Sequence, residues 1–433
     1  MKDVTGEEGN YPIASIVAAV GKPINGLWWG VFTVAWVVAL CGLGWSSYQI
    51  AMEGVGVLGV NNSVPWGLDV VHFVFWIGLG HAGTLISAVL WLTRQSWRGP
   101  IARGAELMTL CAVICAAVFP IVHVGRIWMT WLASPMPEIS GVWPDLASPI
   151  LWDVMAVSTY FFLSLIYWYL GLIPDFAVLR DHCNGKRRRW YGVLALGWQG
   201  KAHQWRAFIG CNGIFAALLT ALVVSVHSVV SYDFAVTQVA DWHLSIFPPY
   251  FVVGAILSGL AMIQLILVCV RWFMKQFAIQ EFLNKKVLDY SSRLLLCVAL
   301  GMGCFYFWEQ LSKLLSGTEW HSSPLIWLIF GLNVLVPQIY WIKKCRISRI
   351  CMVLVSVAVL IGMWLERFWI IVGGLEASEL PGAIGNYTAS MVDWAMCLGS
   401  IGLFIGLYMV GARLTPFFSL CENYLTRKEH RYE

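Results

Sequence analysis

The chain has 433 residues, of which 59% are hydrophobic and only 12% charged, and it carries 25 tryptophans. That composition excludes a soluble domain of this length and indicates an all-α protein that crosses a bilayer many times. The net charge of +4 sits in a few short loops, so it reports topology and contact with anionic lipid and gives no ground for a nucleic-acid partner.

Ten apolar stretches meet the roughly 20 residues that a crossing needs, at about 26–50, 67–92, 104–131, 149–179, 203–231, 250–274, 288–315, 323–342, 348–371 and 388–411. The segment before span 1, MKDVTGEEGN, is acidic and lacks a basic region leading into an apolar core, so span 1 is expected to stay in the mature chain. Asp69 and His72 open span 2, three residues apart and so on one face. Span 3 ends in FPIVHVGRIW, with His123 and Arg126 just after Pro120, which should bend the helix. Asp153 opens span 4, while His227, Tyr232 and Asp233 close span 5. Glu309 comes late in span 7, Glu366 and Arg367 late in span 9, and Asp393 early in span 10. No loop is long enough to fold alone, so residues 1–433 form a single integral membrane domain.

Loop charge sets the expected orientation. Arg94, Arg98 and Arg103 follow span 2; Lys186, Arg187, Arg188, Arg189 and Lys201 follow span 4; Lys275, Lys285 and Lys286 follow span 6; Lys343, Lys344, Arg346 and Arg349 follow span 8. The odd loops at 51–66, 132–148, 232–249 and 372–387 contain no Lys or Arg, and the one after span 7 at most Lys313. The positive-inside rule then puts both termini in the cytoplasm. With that orientation the intramembrane ionisable residues named above fall in the outer half, and the inner halves hold almost nothing comparable. If Trp128 and Trp131 mark the interface, His123 lies roughly 8–12 Å inside it at 1.5 Å per residue, and Asp153 about one turn inside.

The twelve cysteines are scattered except for Cys111 and Cys115, with no CxxC or CxxCH, so the chain offers neither an iron–sulfur nest nor a covalent haem site. The odd loops contain VWPDLASP, SIFPPY and LPGAIGNY, which read either as a docking surface or as ordinary caps between helices.

Ionisable side chains at such depth should face the bundle interior and have partners. A His and a carboxylate on neighbouring helices suit quinol oxidation, which releases two electrons and two protons and needs an acceptor for each hydroxyl proton. His123 and Asp153 are the candidates, and a tie between spans 3 and 4 is the plainer alternative. A haem held between His72, His123 and His227 is a rival reading. An ion path or simple salt bridges through Glu309, Glu366, Arg367 and Asp393 is another.

The segments FPIVHVGRIWMTW, SPILWDVMAVSTYFFLSLIYWYLGLIPDFA, HQWRAF, SVHSVVSYDFAV, WHLSIFPPYFVVGAILSG and ERFWIIV occur in this order. Together they resemble the NrfD or polysulfide-reductase membrane-subunit family, over nearly the whole chain. Within it, HVGR and WDVMAVSTY look most like the C subunit of bacterial alternative complex III. The resemblance implies two four-helix bundles, spans 2–5 (about 67–231) and 6–9 (about 250–371), flanked by spans 1 and 10. It implies a quinol, with menaquinone the expected type, as bound substrate, and no haem or iron–sulfur cluster in this chain. Carried over residue by residue, His123 and Asp153 bind quinol, with Asp69, His72 and Arg126 beside them. His227, Tyr232, Glu309, Glu366 and Arg367 then fall along a proton route through the second bundle. The implied partners are an iron–sulfur subunit on the outer face, a multihaem cytochrome c, a homologous membrane subunit and a terminal oxidase, in a bacterial inner membrane. Related subunits of polysulfide reductases, hydrogenases and sulfur-cycle complexes share the pattern.

Overall fold

The computed structural model describes residues 26–133, 149–237, 239, 242, 246–273, 283–315, 323–376 and 385–419. Within them lie ten helices long and apolar enough to cross a membrane: Gly26–Glu53, Leu68–Leu92, Gly99–His123, Leu151–His182, Ala202–Ala235, Phe247–Trp272, Lys285–Leu315, Pro324–Trp341, Arg349–Glu376 and Met391–Leu414. These are spans 1 to 10, and the chain is an all-helical, multi-pass membrane protein. Parts of the odd loops, including residues 134–148, 316–322 and 377–384, and both chain ends lie outside the described residues.

Two adjustments to the expected spans matter for function, and both fall on span 3. It begins at Gly99 with Pro100 in its first turn, where the missing N–H costs nothing. It ends at His123, because Gly125 adopts φ +76°, the left-handed turn that closes helices and that a Cβ disfavours. The apolar, Trp-rich run expected to continue the helix is instead a separate 3-10 turn, Ile127–Ala133. His123 is therefore the last residue of its helix, and counting helical rise from Trp128 does not measure its depth.

Span 2 is the centre of the molecule. It packs on spans 3, 5, 6 and 9, and nearly all its residues are buried. Spans 2–5 contact one another around it, span 6 packs on 7 and 9, and span 10 pairs with span 1 and rests on span 3. Span 8 is broken into α (Pro324–Phe330), π (Gly331–Leu335) and 3-10 (Val336–Trp341) pieces. Span 9 carries a second π turn at Trp369–Gly373. Such turns gather at functional positions, and here they adjoin Asn333 and the Glu366–Arg367 pair.

One end of the bundle, the basic end, carries the Arg- and Lys-rich connections. The other carries His123.

Candidate functional site

At the His123 end the four helices of the first bundle each bring one acid or base: Asp69 from span 2, His123 from span 3, Asp153 from span 4 and Asp233 from span 5. Asp69 is fully buried in the first turn of its helix, where its Oδ1 accepts from the Gly67 N–H at 3.2 Å and the helix terminus favours negative charge. Its Oδ2 lies 2.5 Å from His123 Nδ1. A carboxylate at Nδ1 fixes the ring and leaves Nε2 to exchange protons. The His123 side chain keeps 32% of its surface exposed among the described residues.

The sequence leads one to expect His123 and Asp153 to pair with each other, and each has a different carboxylate as its partner. Asp153 and Asp233 stand carboxyl to carboxyl across spans 4 and 5. Both are buried, and the Oδ1 of each has no hydrogen-bond partner among the described residues. Two carboxyls in contact cannot both carry charge easily, so the pair is suited to hold one proton between them. It also has acceptor capacity to spare for a hydroxyl.

Of the flanking candidates, His72 is committed elsewhere. Its Nδ1 lies 2.6 Å from the Leu68 carbonyl and its Nε2 accepts from Trp364 Nε1 at 3.2 Å. That arrangement requires a neutral ring protonated on Nδ1 and ties span 2 to span 9. Arg126 is exposed beyond the helix end. His227 meets neither His72 nor His123; its Nδ1 is 2.8 Å from His81 Nδ1. Both rings are buried, and the Nε2 of each has no partner among the described residues. The three histidines of the haem reading therefore point to three different partners, and both nitrogens of His72 are occupied.

Late in span 9, Glu366 and Arg367 form a buried ion pair at 3.3 Å. The Tyr306 hydroxyl donates to Glu366 Oε2, and Asn333 Nδ2 reaches the same oxygen at 3.2 Å and Tyr306 at 2.8 Å. Arg367 lies over the Phe251 ring at 4.3 Å, and His227 packs on the same ring. Glu309 is not in this cluster by hydrogen bond; it pairs with Lys313 at 3.0 Å on its own helix. Tyr232 is 40% exposed. Asp393 caps span 10 through the Ser390 N–H at 2.8 Å and holds the Gly59 N–H at 2.9 Å, a structural arrangement.

The basic end contradicts the expectation that the inner halves are empty of charge. Arg98, Arg103, Glu106 and Asp175 are all buried there. Glu106 takes Arg103 at 2.8 Å, Arg98 at 3.4 Å and the Ser87 hydroxyl at 2.5 Å. Arg103 also faces Asp175 at 3.5 Å and donates to the Gly171 carbonyl at 2.7 Å, while Arg98 donates to Tyr167 at 3.1 Å.

Comparison with known proteins adds to this geometry. The family model described as polysulphide reductase, NrfD, matches residues 56–377. The chain belongs to the NrfD family. Over 90% of its length it is 22% identical to the C subunit of selenate reductase from Mesobacillus selenatarsenatis, covering 94% of that protein. It is 25% identical to the putative C membrane subunit of a dimethyl sulfoxide reductase of Halobacterium salinarum, covering 94% of this chain and 93% of the relative. It is also 22% identical to an Hdr-like menaquinol oxidoreductase integral membrane subunit of Archaeoglobus fulgidus, covering 87% and 91%. This NrfD-family chain is thus, in general terms, a membrane subunit of an oxidoreductase complex.

Asp233 is marked by the sequence without its partner, and His81 and Trp364 are not singled out by it. Asp233 stands beside His227 and Tyr232 in SVHSVVSYDFAV, but nothing local shows that it meets Asp153. His81, in the middle of span 2, has no charged residue within a turn to mark it. Trp364 carries the strongest signal of the three, an indole one turn before Arg367.

Proposed function

We propose that this chain is the quinol-oxidising membrane subunit of a respiratory oxidoreductase, with its site at the His123 end of the first bundle. The reading is carried by the Asp69–His123 dyad, whose imidazole is partly exposed. Asp69 orients the imidazole; His123 accepts the proton of one quinol hydroxyl; the Asp153–Asp233 pair accepts the other. Oxidation of the quinol yields quinone, two protons and two electrons, and the electrons pass to an iron–sulfur subunit docked on this end. With the basic end in the cytoplasm, the protons are released outside. A menaquinol substrate accords with the name of the archaeal relative.

For the electron acceptor, the names of the three relatives favour a membrane-anchored reductase or menaquinol oxidoreductase over the alternative complex III that the motif resemblance favours. The latter assembly would add a multihaem cytochrome c, a second homologous membrane subunit and a terminal oxidase. The test of the central reading is His123→Ala and Asp153→Asn in the purified complex. Quinol oxidation should fall about 10²–10⁴-fold while every subunit is retained; wild-type rates in both variants would refute it.

A second reading has its own observation. His81, His227, Arg367, Glu366, Tyr306 and Asn333 make a line of buried polar groups from the first bundle into the second. It supports a proton route coupled to quinol oxidation. Glu366→Gln should lower the proton-to-electron ratio in proteoliposomes, and an unchanged ratio at normal turnover removes Glu366 from any such route.

A further inference from the structure

The LPGAIGNY segment between spans 9 and 10 ends in Tyr387, and that tyrosine reaches back to the turn of span 2 that carries Asp69. A helix leaves its first N–H groups without partners of its own, and the first of span 2, on Leu68, donates to the Tyr387 hydroxyl at 3.0 Å. The ring packs on Gly67. A Cβ there would stand 2.7 Å from it, so only glycine lets the ring come this close. Tyr387 is itself held, since its own N–H donates to Glu376 Oε1 at 2.7 Å at the end of span 9 and its hydroxyl faces the Asp393 carboxylate of span 10. A hydroxyl that gives its proton toward a carboxylate is a stronger acceptor for the N–H on its other side. Leu68 is thus gripped at both ends, because its carbonyl faces His72 Nδ1 at 2.6 Å and His72 in turn takes the Trp364 N–H of span 9.

We propose that Tyr387 is a positioning residue for quinol oxidation, a strap that fixes the first turn of span 2 and so sets Asp69 against His123. The inference rests on the Asp69–His123 reading of the site. Its geometry passes through Gly67, whose N–H holds Asp69 Oδ1 at 3.2 Å while Oδ2 lies 2.5 Å from His123 Nδ1. One carboxylate oxygen is tied to the backbone and the other to the imidazole. A drift of the Gly67–Leu68 peptide, which Tyr387 holds through the Leu68 N–H and the bare face of Gly67, moves the first oxygen, and the second follows. The contacts of Tyr387 are with Gly67, Leu68, Glu376 and Asp393, so it bears on the reaction through Asp69. Spans 9 and 10 thereby set the geometry of a dyad that belongs to spans 2 and 3.

The test is Tyr387→Phe in the purified complex, alone and combined with Asp69→Asn, with menadiol as the quinol. The substitution keeps the ring on Gly67 and removes only the hydroxyl. Per assembled complex, kcat should fall about tenfold, less than the roughly 10²-fold that a 1 Å misplacement costs, at unchanged KM. Asp69→Asn by itself should slow turnover about 10²-fold, which leaves a rate on which a further tenfold loss is readable. In that background Tyr387→Phe should add nothing. A purely structural tyrosine would lower the yield of complex and leave kcat per complex alone. Wild-type kcat in Tyr387→Phe overturns the proposal, and so does the same fall in both backgrounds. Gly67→Ala pushes the ring and its hydroxyl off Leu68 while keeping the Asp69 side chain; measured in the same two backgrounds, it covers a Tyr387→Phe variant that fails to assemble. Wild-type turnover in Asp69→Asn refutes the dyad and the strap with it, whereas turnover lost in Asp69→Asn and intact in Tyr387→Phe refutes the strap alone.

Discussion

The two ends of the first bundle bury acids in similar number and treat them differently. At the basic end, Glu106 and Asp175 meet Arg98 and Arg103, two charges against two, with Ser87 and Tyr167 contributing hydroxyls. At the opposite end Asp69, Asp153 and Asp233 have, as hydrogen-bond partners among the described side chains, only His123 and one another. A balanced buried network holds helices together and has no reason to exchange protons. An excess of acid over base in the same low-dielectric setting can be relieved only by protons or by a ligand that donates them. The His123 end is therefore where chemistry belongs, and the basic end is where the bundle is fastened.

That contrast can be broken by experiment. The largest effect is expected from Glu106→Ala, which removes the acid that Arg98 and Arg103 share and leaves two buried arginines against Asp175; breaking such a network costs about 3–5 kcal/mol. It should appear as loss of folded protein from the membrane, and a variant that accumulates and melts like wild type would remove the fastening role. Asp153→Asn should do the opposite, losing turnover while melting no earlier than wild type, because one of two mutually repelling acids is gone. A large fall in melting temperature would make that pair structural after all. The smallest effect is expected from Lys313→Ala. Its pair with Glu309 is a partly exposed contact one turn apart, worth no more than about 0.5 kcal/mol. A changed proton-to-electron ratio in this variant would bring Glu309 back into the second bundle's polar line.

The crossings were legible because twenty consecutive apolar residues have few other uses. The ends of span 3 were not. Trp128 and Trp131 are as apolar as a helix interior, and only the left-handed Gly125 separates them from it. At the other end, Arg98 and Arg103 read as loop charges that set orientation, yet both are buried, at 3% and 2% exposure. The rule that counts arginines near a span cannot say which of them turn inward, and Glu106 three residues after Arg103 is the sign that they do. The site was legible in membership and not in pairing. His123, Asp69 and Asp153 were all marked by their position, but which carboxylate meets which group depends on the rotation of each helix about its axis. His81 and His227 are 146 positions apart, and no local spacing joins them.

Gly171 makes the fastening depend on two spans. A Cβ there would collide with Arg103 Nη1, so the guanidinium of span 3 fits only against the bare backbone of span 4. Span 3 carries Arg103 and Glu106 together, but the second acid, Asp175, and the Gly171 carbonyl arrive only with span 4. Without it Arg98 and Arg103 outnumber Glu106. The network is therefore complete only with spans 3 and 4 together, Asp175 bringing the second acid to the two arginines.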